Sequence, residues 1–171
     1  MLNNLQQPVK LNLGCGGYKS QGYVNVDLYN PARDLTCDLT KFPYPFKDCS
    51  ADEIVMSHVI EHLSWRLTEK VLEEVYRILT PGGLFKIGYP DFLECARNFV
   101  ENKQGLRDWW KQTIYGMQID DGQYHKAPII TDELVDMMRA IGLKTTEITS
   151  EAGREYNKNI TAIKVEPLNW F

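Results

Sequence analysis

A chain of 171 residues fits one domain and can bury a sizeable core; its 43% hydrophobic and 25% charged residues are ordinary for a globular protein. A net charge of −4 gives none of the basic footprint of a general nucleic-acid binder, although an RNA end or a small anion needs no such footprint. No apolar run approaches the ~20 residues of a membrane span, no signal-peptide pattern opens the chain, and Cys15, Cys37, Cys49 and Cys95 form no CxxC pair, so the expectation is a cytoplasmic, reduced protein without a membrane partner.

Residues 1–8 read as a polar lead-in, and residues 9–171 as one domain. Val9–Leu13 is an apolar run that ends in Gly14-Cys15-Gly16-Gly17, and a second run, Tyr23–Asp27, stops on an acid. About ten residues join these two strands. A parallel crossover normally takes a dozen or more with a helix, so this one has room for at most one helical turn. Leu35–Leu39 is a third short apolar run with Asp38 near its end, and the two prolines of Phe42–Phe46 forbid regular structure after it.

Ala51–Val59 predicts a fourth strand with Ile54, Val55 and Met56 at its centre. Leu67, Val71, Leu72, Val75, Ile78 and Leu79 fall at helical spacing, and Pro81-Gly82-Gly83 is the expected stop. Leu84–Tyr89 follows as a fifth strand, closed by Pro90-Asp91. Residues 91–130 are aromatic-rich without a clear period and read as a substrate-side insertion or cap. Thr131 is expected to cap a further helix that Gly142 stops, and Lys144–Thr149 and Ile160–Val165 are the last two strands. Alternating strands and helices imply an open α/β sheet with ligands beyond the strands' carboxyl ends, where Asp27, Asp38, Ser57-His58 and Asp91 fall.

Strand, glycine turn, strand, acid is a nucleoside-binding layout. Glycines past a buried strand let the backbone turn and leave no side chain against a ligand, and a carboxylate on the next strand can accept from two ribose hydroxyls. A dinucleotide would want a helix N-terminus for its pyrophosphate and the third glycine of GxGxxG. The chain has GxGG and a short crossover, which favours S-adenosylmethionine over a nicotinamide cofactor and leaves an oxidoreductase as the weaker alternative.

The stretches LNLGCGG, VNVDL, CDL, ADEIVMSHVIEHL, EEVYRILTPGGLFKIGYPD and a later YHK together resemble a class I S-adenosylmethionine-dependent methyltransferase of the small type-11-like group. The resemblance implies a Rossmann-like, mostly parallel seven-stranded sheet with its last strand antiparallel. It also implies S-adenosylhomocysteine as product. Carried over, Gly14, Cys15, Gly16 and Gly17 would face the methionine part, Asp27 the ribose and Leu28 the adenine. Asp38 and Leu39 would sit at the adenine amino group and ring, and Ser57-His58 beneath the sulfonium. Asn12 stands where the family usually has an acid that meets the methionine amine. The lead-in is shorter than the helices that often cover the cofactor, so a second copy or a partner chain would complete an open site.

Methyl transfer from a sulfonium needs positioning and, for some acceptors, a base, but no nucleophilic side chain. His58, Glu61 and His62 lie at i, i+3 and i+4 and would share a face of a helical turn; His125 falls in the segment expected to fold over the same pocket. These residues and Asp91 are the candidates for catalysis. The same set has ligand chemistry for zinc, and its spacing resembles the metal site of some methyltransferases acting on catechols and RNA 3′ ends, whose first ligand is an acid. The bracing role such a Glu-His pair has in metal-free methyltransferases is the preferred reading, so no metal is expected. Asp91 could equally cap the next helix, and Trp109-Trp110 either covers the sheet or stacks on a substrate. The expected acceptor is a small molecule; a binding module without turnover is the non-enzymatic alternative.

Overall fold

The computed structural model describes residues 9–165; the lead-in of residues 1–8 lies outside them. Seven strands form one sheet: β1 (Lys10–Leu13), β2 (Val24–Asp27), β3 (Leu35–Thr36), β4 (Ala51–Ser57), β5 (Leu79–Pro90), β6 (Leu143–Glu151) and β7 (Arg154–Lys164). The helices are α1 (Thr68–Ile78), α2 (Phe92–Val100), α3 (Arg107–Tyr115) and α4 (Thr131–Ala140). Strand order is β3-β2-β1-β4-β5-β7-β6, with β7 antiparallel to both neighbours. This is the Rossmann-like arrangement with a reversed last strand that the sequence predicts.

Side chains alternate along the central strands, and one face is apolar: Leu11 of β1 pairs with Ile54 of β4, Leu13 and Met56 two residues on share that face, and all four are fully buried. Val71, Leu72, Val75 and Ile78 of α1 are buried with them. Across the strands lies a polar clasp: Glu53 of β4 accepts from Lys10 of β1 at 3.0 Å, Lys86 of β5 at 2.6 Å and the Tyr23 hydroxyl at 2.8 Å. Burial opposes the ionisation of Glu53, but these three partners outweigh it and bring its pKa down to about 2.

Four local readings change. Pro81-Gly82-Gly83 does not end α1: β5 begins at Leu79, pairs with Ala51, and loops out before Leu84 pairs with Glu53. The third apolar run holds only two residues in strand. The supposedly irregular residues 91–130 contain α2 and α3, whose periodicity is masked because Leu93, Val100, Trp109 and Tyr115 are exposed. They build a second small core in which Trp110 meets Tyr156 edge-on, ring centres 5.1 Å apart, beside Cys95.

Thr131 opens α4 but does not cap it with its own side chain. Asp91 does that work. Its Oδ1 accepts from the Glu94 N–H at the start of α2, and its Oδ2 accepts from the N–H and hydroxyl of Thr131. One buried carboxylate thus ties two helix N-termini to the end of β5, where negative charge is favoured.

Two substitutions test these buried acids. Asp91→Ala should cost about 2–4 kcal/mol by urea denaturation, two lost caps plus a stranded Thr131 hydroxyl, and Asp91→Asn less. Glu53→Gln should cost about 1–2 kcal/mol at neutral pH. Folding lowers the Glu53 pKa from 4.5 to about 2, so its contribution is complete above the unfolded value and is lost as pH falls through the folded one. The gap between Glu53→Gln and the unsubstituted protein should therefore close toward about pH 2.

Candidate functional site

The glycine turn leaves β1 without a helix to brace it: no helix lies between Leu13 and Val24. A side-chain network takes that place. Asn12 Nδ2 donates to the Tyr18 carbonyl and to Asn25 Oδ1, which also accepts from the Ser20 N–H. Asn25 Nδ2 donates to the carbonyls of Ser20 and Tyr23 and to Asp34 Oδ2. Asp34 Oδ1 in turn lies 2.6 Å from Lys19 Nζ. The N–H groups of Gly14 and Cys15 both donate to the Val26 carbonyl, locking the turn onto β2.

Gly14 cannot be replaced here. Its φ is +69°, and a Cβ would lie 2.5 Å from a Val59 methyl. Gly16 and Gly17 meet nothing within 4 Å on that side and so leave open space. Asp27 closes the turn from β2: Oδ2 accepts from the Gly16 N–H, and Oδ1 from those of Tyr29 and Asn30, each at 2.8 Å. Burial works against its charge, yet the N–H groups of Asn30, Gly16 and Tyr29 hold its carboxyl below the ordinary aspartate value. It is an anion at neutral pH.

A cleft of about 830 Å³ opens at the carboxyl ends of the strands, within the size range of small-molecule sites. One wall is Gly14, Gly16, Gly17, Asp27, Leu28, Asp38 and Leu39; the floor is His58, Val59 and His62; the opposite wall is residues 120–123 and Lys126. Asp38 Oδ1 accepts from the N–H and hydroxyl of Thr40. Gly116 lets the last wall fold back: its φ is +79°, it pairs with Tyr124, and a Cβ there would collide with the Gln123 carbonyl.

At the floor the chain leaves β4 through His58, whose φ of +53° is left-handed, into a short 3₁₀ turn at Ile60–His62. His58 Nδ1 lies 3.1 Å from Glu61 Oε1, and this contact raises the imidazole pKa against the effect of burial. The Glu61 carbonyl accepts the N–H groups of Lys126 and Ala127, so the turn holds the far wall directly. The His62 and His125 rings meet edge-on with centres 4.7 Å apart. Burial lowers the His125 pKa, which keeps its ring neutral.

Of the residues singled out in the sequence, Gly14, Gly16, Gly17, Asp27, Leu28, Asp38, Leu39, His58 and His62 line the cleft. Glu61 and His125 stand directly behind them. Asn12, Cys15, Ser57 and Asp91 do not line it. Asn12 is buried and braces the crossover, Cys15 is buried beneath the turn, and Asp91 is the double helix cap. The Trp109-Trp110 pair lines a separate cleft of about 480 Å³ with Arg154 and Tyr156, so it is no wall of this one. Sequence reasoning missed Tyr29, Asn30 and the wall at 120–123; the Asp120-Asp121-Gly122 turn was their one available signal.

Residues 11–87 match the model of a family described as a methyltransferase domain. No curated protein matches in sequence. The fold is similar to a chain of the Haloferax volcanii complex between the Trm112 methyltransferase activator and a methyltransferase, with a TM-score of 0.62 and 17% identity over 92% of this chain and 82% of that one. It is similar to a SAM-dependent methyltransferase from Methanosarcina mazei, with a TM-score of 0.61 and 17% identity over 95% of each chain. It is also similar to the 1,6-didemethyltoxoflavin-N1-methyltransferase of Burkholderia thailandensis, solved with 1,6-didemethyltoxoflavin and S-adenosylhomocysteine, with a TM-score of 0.59 and 15% identity over 94% of this chain and 72% of that one. At these identities the structures establish the shared fold, while the matched residues 11–87 contain the glycine turn, Asp27 and the floor of the cleft. Residues 11–87 thus match a methyltransferase domain, and the chain has the fold of solved SAM-dependent methyltransferases.

Proposed function

We propose that the protein methylates a small-molecule acceptor held over His58 and His62, with S-adenosylmethionine lying along the glycine turn. The observation that carries this reading is one continuous cleft that runs from the open turn and the Asp27 anion to the imidazoles of the floor. When bound, the cofactor supplies a methyl group already activated on a sulfonium. The residues have three tasks. Asp27 accepts from the ribose hydroxyls, and Leu28 and Leu39 flank the adenine while Asp38 accepts from its amino group. Gly14, Gly16 and Gly17 leave room for the methionine part, above Ser57-His58. His58, held by Glu61, takes the proton of an acceptor that must lose one.

Residues 9–171 act as one domain, and residues 91–130 are its acceptor-side cap. The neighbour solved with bound 1,6-didemethyltoxoflavin supports a small, planar acceptor class. The neighbour in complex with an activator supports a partner chain, or a second copy, over the exposed Gly16-Gly17 end. Among the described residues no helix is long and apolar enough to cross a membrane, and the four cysteines are free, which supports a cytoplasmic setting. The nicotinamide alternative loses its footing because β1 and β2 are joined without a helix that could meet a diphosphate.

Calorimetric titration with S-adenosylhomocysteine tests the site. Asp27→Asn, checked for folding by circular dichroism, should weaken binding at least about tenfold, which corresponds to 1.4 kcal/mol. Unchanged affinity would remove Asp27 from the ribose. Methyl transfer to a panel of small nucleophiles, followed by mass spectrometry, then identifies the acceptor.

A further inference from the structure

We propose that Glu61, His62 and His125 form a binding site for a divalent transition-metal ion at the floor of the cleft. One ligand atom from each lies within 4.8 Å of the others. Donors ~2.1 Å from one tetrahedral ion lie about 3.4 Å apart, so the widest pair closes by up to about 1.4 Å, a movement that side-chain rotation supplies. Two imidazole nitrogens and one carboxylate oxygen suit zinc and its neighbours rather than calcium or magnesium, which take oxygen alone.

Two further features point to an ion. Glu61 is 1% exposed, and its Oε2 has no hydrogen-bond partner among the described residues. A buried carboxylate oxygen left so is costly, and a cation is what would satisfy it. His62 is also held as a metal ligand is held. His62 Nδ1 lies 3.2 Å from the Tyr124 carbonyl. A carbonyl only accepts, so Nδ1 carries the hydrogen and Nε2 keeps its lone pair for the ion.

His58 stands outside the cluster as a partner of Glu61 Oε1, orienting the carboxylate. Three protein ligands leave coordination positions open, and His62 places the ion beside the cleft. There an acceptor oxygen completes the shell and loses its proton more readily; this last step rests on the transfer reading above, whereas the ion site does not.

The test is titration of the metal-stripped protein with zinc and, separately, with cobalt, in the absence of S-adenosylmethionine. The expected result is one ion per chain, a cobalt absorption band of a nitrogen–oxygen site, and a rise in melting temperature that chelator reverses. His62→Gln and His125→Gln are both only half-buried and should fold; each should weaken zinc binding at least tenfold, while Cys49→Ser, which removes the exposed thiol, should leave it unchanged. Absence of a stoichiometric ion, or binding indifferent to both histidine variants, overturns the proposal. Titration of S-adenosylhomocysteine in chelator separates this failure from failure of the transfer reading.

Discussion

The amide of Asn25 is the constraint on which the cleft depends. Two parallel neighbours, β1 and β2, are joined by a stretch too short for the usual helix, and something must bring its polar backbone to rest. Asn25 does so with every donor and acceptor of its side chain, engaging Asn12, Ser20, Tyr23 and Asp34. Only with the crossover fixed can the Gly16 N–H reach Asp27, and only then do an open turn and an anion face one space. A buried hydrogen-bond network with every member satisfied specifies a single geometry in a way that apolar packing alone does not.

Four acids are buried among the described residues, and their partners separate their roles. Glu53 is clasped by two lysines and a tyrosine; Glu74 is held by Arg77 and the Tyr44 N–H, which secures the proline-rich loop. Asp91 holds two helix ends. Each of these is explained by the fold around it. Glu61 alone keeps an oxygen without a partner among the described residues, and it alone stands between histidines at the cleft.

The strands that position the glycine-turn wall of the cleft were legible because β1, β2 and β4 are short apolar runs bounded by glycine or acid, a signal local in sequence. Asp27, Asp38 and His58 were legible for the same reason: each sits at the end of such a run. The helices of residues 91–130 were not, since they bury few side chains and leave Leu93, Val100 and Trp109 in solvent. Asn12 and Asp91 sit at strand positions that suit a site, but their side chains are claimed by donors and acceptors elsewhere in the chain, Asn25 and Thr131 among them. That competition is a property of the packed structure and leaves no periodic trace. The approach of His125 to His62 likewise exists only because the Glu61 carbonyl captures the N–H groups of residues 126 and 127.

His58 carries a consequence of another kind. Its left-handed backbone costs an L-residue about 1–2 kcal/mol, and the hydrogen bond of its N–H to the Gly88 carbonyl helps hold it there. Glycine would make the same bend without that strain, as it does in the turn that follows β1. Among the described residues Cys49, Asn102, Gln104 and Gln118 bend the same way, but His58 alone of the five lines the cleft, and what the molecule keeps there for part of a small stability margin is a ring.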